Sequence, residues 1–443
     1  RTPIGFAAGM GRLLRLLACL GCAALVAAAC SGGGEAQPGG EAVASPSVDE
    51  AAVEAVEPTA TPVPTPENVL KIGVLLDVGS LDADNFDAGN VMSPLDRQPS
   101  VAFEAGVDAL NAAGGVLGRP LAITQVDTTS RLSVVDKAAE DMIEDGVVLL
   151  VVTCEFDFAR PAIERADAAG VLVMSPCASE RGWATGDAGR LAFSMVPSAD
   201  HYGVAMADYA WVEGYRDIAL LTDSTAPEAE VECDAFAERW VELGGTFSFR
   251  ESFGLRSAEL LDENPNVAGI IAGEATVLCA FPTIGLELIV GVRRLGVDAT
   301  VIASPSLDSG TWLPIDIAEI SDGAADIGDF RLVSMSSVWG DDPSPRLAEA
   351  IDGYVAKQAT LPSSGRFVLG ADLADLWAQA VEEAGTTDGP EVAAVLSGVR
   401  NAETVSGTIS FVGRQAPADR QLRVLRHNNG NLVFEQLIGT SPR

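Results

Sequence analysis

Two histidines, His201 and His427, seven cysteines and a large excess of carboxylates set the chemistry this chain can support. A zinc cage, a HExxH helix or a serine–histidine relay each needs imidazoles at a defined spacing, and two histidines far apart in the chain leave little material for any of them. No GxGxxG follows the first apolar strand, and neither GxxxxGK[ST] nor GxSxG occurs. Phosphate-loop nucleotide binding and serine hydrolysis therefore lack their usual residues. The acids are more informative. "CEFDFAR" (154–160) sets Glu155 and Asp157 directly after an apolar strand, where they serve either as helix-capping groups or as acceptors for a ligand. "LDADNFDAGN" (81–90) spaces Asp82, Asp84 and Asp87 like a calcium loop. The glycine and closing glutamate of an EF-hand are missing, so it reads as a solvated acidic loop, and neither metal nor cofactor is expected.

Charge narrows the partners. Lys and Arg number 28 against 63 Asp and Glu, a formal charge of -35, which repels a phosphate backbone and disfavours nucleic acid. The first 29 residues carry Arg12 and Arg15 ahead of "LLACLGCAALVAAA" (16–29), an apolar stretch short for a bilayer span but suited to a secretory signal. "AAAC" (27–30) is similar to a bacterial lipobox, which would make Cys30 a lipidated first residue. Residues 31–66 are Gly, Ala, Pro, Glu, Ser and Thr rich, without an aromatic residue, and read as a tether with an r.m.s. span of about 30–36 Å. The expected location is extracytoplasmic, anchored to the cell membrane by a lipid.

With Cys19 and Cys22 in the signal and Cys30 on the lipid, four cysteines remain: Cys154, Cys177, Cys233 and Cys279. An even number in an exported chain implies two disulfides with three possible connectivities. Cys154 and Cys177 both end apolar strands of one sheet, which favours that pair and leaves Cys233 for Cys279.

The elements that position these residues alternate. Apolar runs at 70–77, 121–127, 147–154 and 171–177 read as four strands, joined by helical patterns at 99–115, 134–146 and 160–170. A second series gives strands at 218–223, 246–253, 267–273 and 300–306, with helices at 227–245 and 283–296. The fold class is α/β, two doubly wound parallel-sheet lobes with a ligand cleft between them. At 443 residues the chain has length for both.

"VDALNAAGGVLGRPLAI" (107–123), "AEDMIEDGVVLLV" (139–151), "AGVLVMSPCAS" (169–179) and "SGRFVLGADLADLWAQAVEEAG" (364–385) resemble the substrate-binding proteins of branched-chain amino acid ABC transporters, type I periplasmic binding proteins. The resemblance runs from about Leu70 to about Leu437. It implies residues 68–198 plus 333–412 as an N-terminal lobe and 199–332 plus 413–443 as a C-terminal lobe, after a signal peptide (1–29) and a tether (30–67). It also implies a ligand site. "SPCAS" matches the family's loop after the fourth strand, placing Cys177, Ala178 and Ser179 at the ligand, with the serine hydroxyl and the backbone N–H groups free to hydrogen-bond. Where the family's third-strand loop carries serines, this chain has Glu155, Phe156 and Asp157. In the second lobe the resemblance points to Asp223 and Thr225 after "LLT", to Phe281, and to Ser306 and Asp308 after "TVIASP". Phe86 is the expected wall of the first loop. Extra carboxylates beside a ligand carboxylate repel it by on the order of 1–4 kcal/mol at about 4 Å, so a cationic, hydroxyl or amide ligand suits the site better than a plain aliphatic amino acid.

The implied function is capture of a small polar ligand by lobe closure and delivery to an ABC transporter permease, by a monomer that is not an enzyme. The alternative is a ligand-sensing receptor protein acting with a membrane signalling partner.

Overall fold

Leu70, Ile72, Val74, Leu75 and Leu76 form a run buried throughout, as suits an interior strand of a parallel sheet covered by helices on both faces. In the computed structural model, which describes residues 68–79, 93–254, 267–308, 327–428 and 431–440, that run is β1 (Leu70–Leu76). After it come α1 (Ser93–Ala112), β2 (Leu121–Asp127), α2 (Leu132–Glu144), β3 (Leu149–Val152), α3 (Phe156–Ala169), β4 (Leu172–Ser175), α4 (Arg181–Thr185) and β5 (Ala192–Ser194). These five strands form a parallel sheet in the order β2-β1-β3-β4-β5. Ile72 lies opposite Leu149, and Val151 opposite Met174.

The chain continues through α5 (Ala199–Val212), β6 (Asp217–Asp223), α6 (Pro227–Leu243), β7 (Thr246–Phe253), α7 (Val267–Ala272), β8 (Ala275–Cys279), α8 (Pro282–Arg294), β9 (Thr300–Ala303) and β10 (Phe330–Ser334). It ends with α9 (Leu347–Gln358), α10 (Val368–Ala384), α11 (Gly389–Gly398), β11 (Ala402–Thr404), β12 (Gly407–Ser410), β13 (Asp419–Asn428) and β14 (Asn431–Gly439). Strands β7, β6, β8, β9 and β10 run parallel, and β13 joins β10 antiparallel, flanked by β12 and β14. The result is α/β with parallel sheets in two lobes, as the alternation of patterns predicts. Among the described residues no helix is long and apolar enough to cross a membrane.

Two glycines permit close backbone approaches in this architecture. The turn after α1 needs Gly115 at φ 82, where an added Cβ would lie 1.9 Å from the Arg119 carbonyl oxygen. Within that turn Asn111 exchanges two hydrogen bonds with Leu121, at 3.0 and 2.7 Å, and fixes where β2 begins. Gly370 on α10 lets α1 approach so closely that a Cβ there would meet the Pro99 carbonyl oxygen at 1.8 Å.

Beyond the sheets, buried ion pairs hold the C-terminal strands. Arg420 of β13 pairs with Asp372 of α10 and donates to the Met195 carbonyl at 2.9 Å. Arg423 pairs with Asp342 at 3.0 Å. One apolar cluster is shared by the two lobes: it contains Cys154 and Cys177 from the first sheet together with Tyr202, Cys233, Phe236 and Cys279.

Three sequence expectations need correction. The first sheet has a fifth strand, β5, whose three residues are too few to show periodicity. "VAGIIAG" (267–273) is not a strand: 267–272 is the helix α7, with Ile270 buried and Ile271 54% exposed, and the strand is the wholly buried "ATVLC" that follows. Alternation of burial over so short an apolar run fits either element, and the fully buried five-residue run is the better strand. Finally, "TVIASPS" divides into β9 and a 3-10 turn, Pro305–Leu307, because Pro305 cannot donate to a ladder.

Candidate functional site

In both lobes the loops after the parallel strands hold the polar groups, which is where open α/β sheets bind ligands. After β3, Cys154 is buried and Glu155 is the N-cap residue of α3, although its side chain does not bond the helix end. The cap comes instead from Glu180, whose Oε1 accepts from the Phe156 N–H at 2.6 Å. Burial pushes the Glu180 carboxyl up to about 7, with Glu228 and Glu155 adding repulsion, against the opposing hydrogen bond from Phe156. Glu155 is raised as well, chiefly by burial and then by Glu228 and Asp157. Asp157 itself is exposed in the first turn of α3.

After β4 the structure departs from expectation. The Cys177 and Ala178 N–H groups are not free: they donate to Ser175 Oγ at 3.4 and 3.2 Å, and Ser175 donates to the Thr153 carbonyl at 3.0 Å. This serine closes the loop on itself, a competition that short polar side chains commonly win at turns. Ser179 does project toward the other lobe, and its hydroxyl donates to Glu228 Oε1 on α6 at 3.0 Å. The cysteines pair as their strand positions favour, Cys154 with Cys177 and Cys233 with Cys279, at Cα separations of 4.8 and 5.7 Å. Both distances are ordinary for disulfides. The first ties the β3 loop to the β4 loop, and the second ties α6 to the end of β8. Behind them Asp96, buried and pushed by desolvation up to about 7, accepts from the N–H groups of Asp77 at 2.9 Å and Cys154 at 3.3 Å.

On the second lobe, Asp223 is fully buried and braces its surroundings. It accepts from the Thr225 N–H at 2.8 Å, the Thr225 hydroxyl at 2.6 Å and the Phe281 N–H at 3.2 Å. Asp223, Thr225 and Phe281 are thus brought together, with Thr225 exposed and Phe281 partly buried against the shared apolar cluster. Ser306 donates to Glu232 Oε1 at 2.9 Å, while Asp308 accepts from Ser334 Oγ at 2.5 Å. Asp308 is raised by burial, opposed by Ser334, Ser364 and the Arg366 charge. Phe86 lies outside the described residues.

Four charged groups at this edge escape the sequence reading: Glu180, Glu228, Glu232 and Arg366. Glu228 and Glu232 stand one turn apart on α6, and Glu232 occupies the same buried face as Ala229, Cys233 and Phe236. A carboxylate on an apolar stripe is the signal that betrays it, since such groups are rarely buried without a reason. Burial pushes Glu232 up to about 7 against hydrogen bonds from Ser304 and Ser306; Glu228 is raised by burial too, with Arg366 and Ser179 opposing. Arg366 is 8% exposed and donates to the Pro305 carbonyl at 2.8 Å. Its charge acts on Glu228, Glu232 and Asp308 alike. The arrangement gathers carboxylates and serine hydroxyls from both lobes at one edge, with Ser179 bonded to Glu228 and Ser306 to Glu232.

The profile of the periplasmic binding protein family matches residues 70–431. Among solved structures, the branched-chain amino acid transporter substrate binding protein LivJ from Streptococcus pneumoniae, in complex with isoleucine, is 18% identical, with a TM-score of 0.65, over 85% of this chain and 100% of that one. The leucine binding protein LivK from Thermotoga maritima is 19% identical with a TM-score of 0.63, covering 84% and 99%. An ABC transporter solute binding protein from Rhodopseudomonas palustris, in complex with 3,4-dihydroxy benzoic acid, is 17% identical with a TM-score of 0.66, covering 85% and 99%. No curated protein matches the chain.

Proposed function

This chain belongs to the periplasmic binding protein family, and we propose that it is an extracytoplasmic solute-binding lipoprotein which captures a small polar ligand by lobe closure and delivers it to an ABC transporter permease. In this reading Cys30 carries the lipid, residues 31–66 are the tether, and the protein acts as a monomer that performs no reaction on what it binds. The lobes comprise 68–198 plus 333–412 and 199–332 plus 413–443. One observation carries the reading: Ser179 of the first lobe reaches Glu228 of the second at 3.0 Å, so the carboxyl edges of the two sheets converge on one polar set. A guest seated there touches both lobes only when they are closed, and its binding energy then favours closure. Similar proteins held isoleucine and 3,4-dihydroxy benzoic acid, which supports a solute of amino acid or comparable small size.

The test is a thermal-shift screen over amino acids, amides, polyamines and aromatic acids, followed by calorimetry and solution scattering on each hit. The expected result is one-to-one binding with a smaller radius of gyration on saturation. Failure of every compound to bind, or binding with no change in dimensions, would refute capture by closure.

A further inference from the structure

The polar set between the lobes is unbalanced in charge, and one of its acids is incompletely bonded. Glu232 is 1% exposed, Ser306 holds its Oε1 at 2.9 Å, and its Oε2 makes no hydrogen bond of good geometry, although the Ser304 hydroxyl lies beside the carboxylate and is itself otherwise unpartnered. Ser179 holds Oε1 of Glu228, one helical turn away on the same side of α6. Glu180 and Glu155 approach from the first lobe closely enough to repel Glu228. Against these stands Arg366, which already gives Nη2 to the Pro305 carbonyl. A buried carboxylate oxygen without a donor is costly, and a cluster of like charges more so, unless a cation arrives to satisfy both.

Resting on the solute-binding reading above, we propose that the solute is an organic cation of net positive charge, whose N–H groups are received by Glu232 and Glu228 on α6. An amine or guanidinium group supplies several donors to carboxylate oxygens at once and compensates the surplus charge. A zwitterion such as leucine can offer its ammonium donors to Oε2 of Glu232 but brings a carboxylate that cancels the charge compensation, and an anion such as benzoate supplies neither. The cation therefore gains its affinity from the second lobe, and closure brings Glu180 and Glu155 toward it.

Titration calorimetry of the full chain at pH 8, where the acids are ionised, decides this with six probes: agmatine, putrescine and L-arginine against L-leucine, L-isoleucine and benzoate. At least one of the three cations is expected to bind one to one, with the neutral and anionic probes silent. Glu232→Gln and Glu228→Gln, both close in shape to the native residues, should each weaken that binding roughly ten- to hundredfold, the range that loss of a charge-assisted hydrogen bond spans. Binding of leucine, isoleucine or benzoate more tightly than every cation would overturn the charge assignment while leaving solute capture standing. Silence from all six probes would also remove the inference, and the wider screen would then judge solute capture on its own. Unchanged cation affinity in both variants, each checked to be folded by circular dichroism, would overturn the role given to α6.

Discussion

Replacing Glu232 by glutamine should flatten the pH dependence of stability of the ligand-free protein. The folded-state carboxyl is raised from its ordinary 4.5 to about 7, with burial the largest cause. A carboxyl raised on folding binds its proton more tightly in the folded state, so its stabilising contribution is complete below the unfolded value and lost as pH climbs through the folded one. The window is thus pH 4.5 to about 7. At about 1.4 kcal/mol per decade of affinity, the native side chain destabilises the protein at pH 8 by on the order of 3 kcal/mol relative to pH 4.5. No discount for solvent screening applies, because the residue is 1% exposed. Glutamine keeps an oxygen for Ser306 and cannot ionise. Urea unfolding of the native protein and Glu232→Gln at pH 4.5 and pH 8 gives the double difference, from which any fixed cost of the amide cancels. A change of about 3 kcal/mol in favour of the variant at pH 8 is expected; parallel pH profiles for the two proteins would refute the reasoning.

Further outcomes follow from the packing. Removing the Cys233–Cys279 bridge by double alanine substitution should cost about 4 kcal/mol and removing Cys154–Cys177 about 3, since the bridged positions are 46 and 23 residues apart and the entropy of the released loop grows with length; equal losses in denaturant unfolding would contradict that order. Gly370→Ala should destabilise by about 1–3 kcal/mol, because its Cβ would meet the Pro99 carbonyl oxygen at 1.8 Å, and an unchanged melting temperature would show that α1 and α10 separate freely. Asp372→Ala strands the buried Arg420 guanidinium, with a loss of about 3–5 kcal/mol; adding Arg420→Met should recover part of it, and a double variant no more stable than Asp372→Ala would contradict the pairing argument.

Much of the fold is legible in the chain because it depends on short-range patterns. The apolar run at 72–76 fixes β1, and "AAGG" ends α1 at glycines whose backbone angles other residues avoid. The cysteine pairing follows from placing two of the four at neighbouring strand ends. The site is less legible because its contacts are made across the chain. Glu180 caps a helix that begins 24 residues earlier, and Ser306 reaches Glu232 from 74 residues away. Ser175 takes two N–H groups that the resemblance assigns to the ligand, a decision made by the rotamer of one hydroxyl. Asp223 ends β6 and Thr225 follows it, yet the loop itself uses the Asp223 oxygens. Family likeness locates the loops; the side chains within them are specific to this protein.

Hydrogen–deuterium exchange with and without the solute found by the screen tests solute capture most directly. Peptides covering 153–157 and 175–180 in the first lobe and 223–232 and 304–308 in the second should all gain protection together on binding, because one guest bridges both edges. Protection confined to one lobe, or found only on surfaces remote from these four segments, would contradict it.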